Sequence, residues 1–133
     1  MSILRTSAIV CTGAVAAFAI ATATAQTPRG PNSKPLVSVD LASEIDSVQG
    51  RILRMQMTTY EPGASNTAHS HKDRPALIYT VSGSITEYRS DCSAPIVHNA
   101  GDISREADGI SHYWINQGSE PAVLLSSDVF HGK

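Results

Sequence analysis

Apolar and β-branched residues recur along this chain in short runs that alternate with polar ones, and Gly, Pro, Asn and Asp clusters part the runs. A period of two is the signature of a half-buried strand, and it predicts strands over 36–41, 51–60, 67–71, 76–81, 85–89, 96–98, 102–106, 112–116 and 122–129. Glu61-Pro62-Gly63-Ala64-Ser65-Asn66, Ser82-Gly83-Ser84, Asn99-Ala100-Gly101, Asp108-Gly109 and Gln117-Gly118 supply the turns, and Cys92 to Pro95 makes a loop. Helix is scarce: one short turn over 42–48, with Ser43 capping ahead of Asp46. So many short strands in one small chain predict an all-β jelly roll whose two sheets close a tapered cavity fit for a small ligand.

The first residues read differently. Arg5, an apolar run over 8–21 and the small residues Ala23-Thr24-Ala25 make 1–25 a secretory signal peptide. The run is too rich in Ala and Thr for a membrane span, and Val10 ahead of Cys11 argues against lipid attachment. A periplasmic or secreted protein is expected, with no membrane association once the signal is removed. Residues 26–50 form an N-terminal arm and the first strand; 26–35, with Pro28, Pro31 and Pro35, is an extended or mobile arm. Residues 51–133 form the main domain. Cleavage leaves Cys92 as the lone cysteine, so no internal disulfide is available, and Cys92 is read as an ordinary loop residue.

A formal net charge of −2 and the lack of any Lys/Arg cluster argue against a nucleic-acid or anionic-membrane partner. Chemistry enters with His69 and His71, which an extended strand points to one face, and with His112 further along. Neutral imidazole is a common ligand for zinc, copper, iron and nickel.

These residues resemble the two motifs of the cupins. Gly63, His69, His71 and Gly83 stand where the first motif places its glycine, its His-x-His and its closing glycine; Gly101, Gly109, His112 and Asn116 match the second. There are two departures: Ala76 (Pro75 at the shorter spacing) occupies the first motif's glutamate position, and Ala107 replaces the second motif's proline. The resemblance implies a cupin jelly-roll barrel, or double-stranded β-helix, in which His69, His71 and His112 converge on one divalent metal ion. It also makes a homodimer a family expectation.

Without the glutamate, the implied ligand set is three neutral imidazoles, which leave the ion its full double charge and favour an anionic ligand. The resemblance offers first a dioxygenase-like oxidoreductase acting on a small anionic substrate, and next a metal-hydroxide hydrolase or isomerase. The alternative is a metal- or ligand-binding cupin module without turnover. Fe, Zn, Cu and Mn are all candidates; export of an unfolded chain favours Zn or Cu, and export after folding reopens Fe and Mn. Metal affinity is expected to weaken as pH falls through about 6.5, where imidazole gains a proton.

Other residues are weighed against plainer roles. Glu87 is the candidate catalytic acid or base, against a solvent-facing strand carboxylate. Arg74, just after the His pair, is a candidate anchor for an anionic substrate, against a solvated loop charge. Met55 and Met57 share a strand face and are read as core filler, with cavity lining as the second reading. Tyr113 and Trp114 should point to opposite faces. His98 and His131 are left outside the site.

Overall fold

A computed structural model describes residues 29–132; the expected signal peptide lies outside them. Among the described residues nine strands form: β1 (Asn32–Asp40), β2 (Arg51–Tyr60), β3 (His69–Ser70), β4 (Ala76–Ser82), β5 (Ser84–Arg89), β6 (Ile96–Asn99), β7 (Ile103–Glu106), β8 (Ser111–Ile115) and β9 (Ala122–His131). They make two antiparallel sheets, β1-β2-β9-β4-β7 and β3-β8-β5-β6. This is the jelly roll that the strand pattern predicted.

Two local expectations are corrected. The arm over 26–35 is in part strand: Asn32 to Pro35 pair with Thr59 to Gln56, and the register slips between Pro35 and Val37. Proline lacks an N–H and is tolerated in this edge strand at such an irregularity. The helical turn over 42–48 shrinks to a 3₁₀ turn at Leu41–Ser43, and Asp40 caps it by accepting from the Ala42 N–H at 3.0 Å. Ser43 instead donates its hydroxyl to the Asp40 carbonyl at 2.7 Å.

Gly83 joins β4 to β5 with φ +73°, and a Cβ there would lie 2.5 Å from the Pro121 carbonyl oxygen. Only glycine lets the two sheets' connecting segments approach so closely. Asp108 and Gly109 both have positive φ, and Ile110 N–H bonds the Ala107 carbonyl across them at 3.3 Å. That primed turn leads straight into β8 and His112.

The interior has two characters. Tyr60, Ile78, Ile85, Trp114, Ala122 and Leu124 belong to an apolar cluster. Each buried Ile or Leu there contributes about 1.5–3 kcal/mol by leaving water. Yet along β9 the inward positions change from Ala122 and Leu124 to Ser126 and Asp128, and His71, Thr80, Glu87, His98, Ser104, Glu106, His112 and Asn116 are buried as well. Buried polar groups on this scale mark the part of the barrel that is built for something other than packing.

Candidate metal centre

His69 on β3 and His112 on β8 are direct partners in register, and His71 follows β3 with its N–H on the Ile110 carbonyl at 2.8 Å. The ring centroids lie 5.1 Å (His69–His71), 4.7 Å (His69–His112) and 4.7 Å (His71–His112) apart. One ring nitrogen from each falls within 4.8 Å of the other two. The structure thus brings all three sequence-predicted imidazoles together.

Hydrogen bonds set the ring orientations. Each Nδ1 faces an oxygen acceptor: the Thr67 carbonyl for His69 at 3.0 Å, the Arg74 carbonyl for His71 at 2.8 Å, and Glu87 Oε1 for His112 at 2.6 Å. An acceptor fixes the proton on Nδ1 and leaves the Nε2 lone pair available. The Nε2 atoms of His71 and His112 are buried with no hydrogen-bond partner among the described residues. An orphaned buried lone pair is costly, and a cation shared between such pairs removes the cost. The donor set therefore fits a divalent ion bound by nitrogen. Burial lowers the pKa of His69 and brings that of His71 down to about 4, and the neighbouring imidazoles act in the same sense. Neutral rings are what coordination needs.

Glu87 sits behind the site. It is fully buried and is not among the residues lining the cavity; besides His112, its Oε2 accepts from His98 Nε2 at 2.9 Å and from Ser104 Oγ at 3.1 Å. Burial would raise its pKa, but the hydrogen bonds from His112, His98 and Glu106 outweigh it and hold Glu87 below the ordinary carboxylate range. Burial raises the pKa of Glu106 instead, and a short contact with the Ser104 hydroxyl opposes that rise. Glu87, Glu106 and His112 also cluster closely enough to suggest a second cation site. However, His112 Nδ1 cannot both donate to Glu87 and bind an ion, so this group is a backing network.

In front of the imidazoles lies a cavity of about 190 Å³. β2 lines it with Gln56, Thr58 and Tyr60, and β9 with Leu124, Ser126 and Asp128. Met55 and Met57 are on the opposite face of β2; Met55 is exposed and Met57 half-buried, so neither the core nor the cavity reading holds for them. Trp114 lines the cavity, whereas Tyr113 turns outward and stacks on Tyr88 with the rings 4.8 Å apart, as alternation predicted. Arg74 lines the cavity too.

A family model described as a cupin domain matches residues 56–128. The chain belongs to the cupin family. Over 100 residues this cupin is 25% identical to germin-like protein 9-3 of Oryza sativa subsp. japonica, matching 73% of the chain and 47% of the relative, so it spans about half that protein's length. A solved structure described as a predicted oxalate decarboxylase from Thermotoga maritima superposes with a TM-score of 0.61 at 19% identity, covering 75% of this chain and 80% of that one. A cupin domain from Bordetella pertussis Tohama I gives 0.58 at 13% identity, covering 79% and 98%. Identities this low establish the shared fold alone.

Set against that family's motifs, Ala76 lines the cavity as a buried methyl group, with Asp128 and Glu106 as its register partners on β9 and β7. Asp128 is itself taken up by Arg54, through Nε at 3.0 Å and Nη2 at 2.7 Å, and lies 3.2 Å from Arg74 Nε. Sequence reasoning missed Asp128, Arg54 and the buried His98. Their role depends on strand pairing: His98 reaches Glu87 only because β6 runs antiparallel beside β5. His131 is exposed, with Arg51 at 2.8 Å, outside the site as expected.

Proposed function

We propose that this cupin is a metal-dependent small-molecule enzyme, a dioxygenase-like oxidoreductase acting on an anionic substrate, in the periplasm or outside the cell. One observation carries the reading: three imidazoles converge with every Nδ1 on an acceptor and with the Nε2 atoms of His71 and His112 buried and unpartnered among the described residues. His69, His71 and His112 would hold the ion, Fe, Zn, Cu or Mn, which would supply a Lewis-acidic centre for an anion and, in the case of redox-active Fe, Cu or Mn, the oxygen chemistry.

The chain's own residues favour an anionic guest. Ala76 withdraws the carboxylate that would otherwise neutralise part of the charge and occupy space beside the imidazoles. Arg74 adds a guanidinium at the cavity wall, and Asp128, held by Arg54, steadies it from one side. Tyr60, Ile78, Trp114 and Leu124 give the otherwise polar wall an apolar stretch, which strengthens the charge interactions beside it. At about 190 Å³ the space suits a substrate smaller than a drug-sized ligand.

A second reading, a ligand-binding module without turnover, is favoured by one specific observation. Two carboxylates beside the site are committed elsewhere: Glu87, behind His112, to His112, His98 and Ser104, and Asp128, on the cavity wall, to Arg54. Neither is free to move a proton on a substrate. Elemental analysis of the natively exported protein, followed by oxygen-uptake assays on diketone, catechol and thiol panels, separates the two. Uptake with one class supports the enzyme, and silence from fully loaded protein on every panel supports the binding module.

A further inference from the structure

We propose that Glu87 is a positioning residue for the metal: acting through His112, it supplies from behind the ring the negative charge that Ala76 does not supply in front. The inference rests on the reading of the three imidazoles as ligands. Of the three acceptors that orient the rings, Glu87 alone is a side chain with a formal charge; the others are the Thr67 and Arg74 carbonyls. Its contact with His112 Nδ1, at 2.6 Å, is also the shortest of the three. The opposite end of the same ring, Nε2, is buried and has no hydrogen-bond partner among the described residues.

A plain packing role explains these facts poorly. Burying a carboxylate completely costs several kcal/mol unless every lone pair is engaged, and an apolar residue at this inward position of β5 would avoid the cost. The chain instead spends His98, Ser104 and, at 3.6 Å, Arg89 on holding Glu87 in place. Glu106, also fully buried, backs the same group. A network this complete fixes where the Glu87 oxygen stands relative to His112.

The chemical consequence follows from the ring. A carboxylate on the Nδ1–H draws the proton toward itself, makes Nε2 a stronger donor and holds the imidazole plane toward the ion. In a site of three neutral ligands, that lowers the ion's effective charge through a ligand ring without occupying a coordination position. The position opened at Ala76 stays open for substrate.

The test uses Co²⁺ as the probe, in the full chain and in Glu87→Gln, which keeps the size of the side chain and removes its charge. The expected result is a Co²⁺ affinity weaker by about 10–100-fold, a shifted visible ligand-field spectrum, and an unchanged limit of one ion per chain. A role in packing alone would move the melting temperature and leave affinity and spectrum where they were; that outcome overturns the proposal and leaves the three-histidine reading intact. Failure of the unaltered protein to bind Co²⁺ overturns both. Should the variant not fold, nitrogen-15 imidazole spectra of the unaltered protein with Zn²⁺ decide the matter. A strongly deshielded Nδ1–H on His112 alone supports the proposal, and three alike refute it.

Discussion

His69 and His112 face each other directly across β3 and β8, with their rings 4.7 Å apart. A strand of only two residues is thereby tied to the centre of the smaller sheet, and the imidazole pair is set by sheet register rather than by loop conformation. Register is a stiff constraint, because a slip of one residue would turn each ring to the other face.

Replacement of His112 by alanine should therefore abolish stoichiometric metal binding while leaving the barrel folded. Elemental analysis after dialysis reports the first and circular dichroism the second. Retention of one ion per chain would remove His112 from the ligand set.

The pH dependence differs from that of free imidazole. His69 and His71 have lowered pKa values in the folded chain, His71 at about 4, whereas in the unfolded chain both titrate near 6.5. Between those limits the unfolded state binds more protons, so stability falls as pH falls. The metal-free protein should show a melting temperature that is level above about pH 7 and declines toward pH 4. Metal binding should survive below the 6.5 expected from sequence and fail as His71 takes up its proton.

Restoring the family's carboxylate is a direct probe of the anionic preference. In Ala76→Glu the new side chain starts from a cavity-lining position. Metal affinity should rise by roughly tenfold or more, and binding of azide or acetate to the loaded protein should weaken correspondingly. Isothermal titration measures both; an unchanged anion affinity would mean that Ala76 does not set the ligand charge.

Gly83→Ala should destabilise the fold by about 1–3 kcal/mol, since the added methyl meets the Pro121 carbonyl and the backbone keeps a positive φ. Urea titration gives the figure. A neutral result would show that the β4–β5 corner yields to accommodate it.

Much of this architecture is legible in the sequence because period-two alternation and turn residues are local signals. The runs at 51–60 and 122–129 reappear as β2 and β9. His69, His71 and His112 were legible for a second reason, their fixed distance from glycines that the turns require. What lay beyond reach was whatever depends on pairing across the barrel. Which face of β2 turns inward was not readable, so Met55 and Met57 drew attention that belongs to Gln56, Thr58 and Tyr60. Likewise the Asp128–Arg54 pair joins residues far apart in the chain, and nothing near either one announces the other. Glu87 was singled out, but only the register of β5 against β8 shows that it stands behind His112 rather than in the cavity.

The acceptors on the three rings also determine where this centre can be retuned by mutation. Main-chain carbonyls at Thr67 and Arg74 survive most amino-acid replacements at those positions, so the donor strength of His69 and His71 is shielded from genetic change. His112 leans on a charged side chain, which the genetic code can swap. Variation among descendants of this chain in the donor strength of its imidazoles, short of losing one, has its most direct handle at position 87 and at the neighbours that hold it.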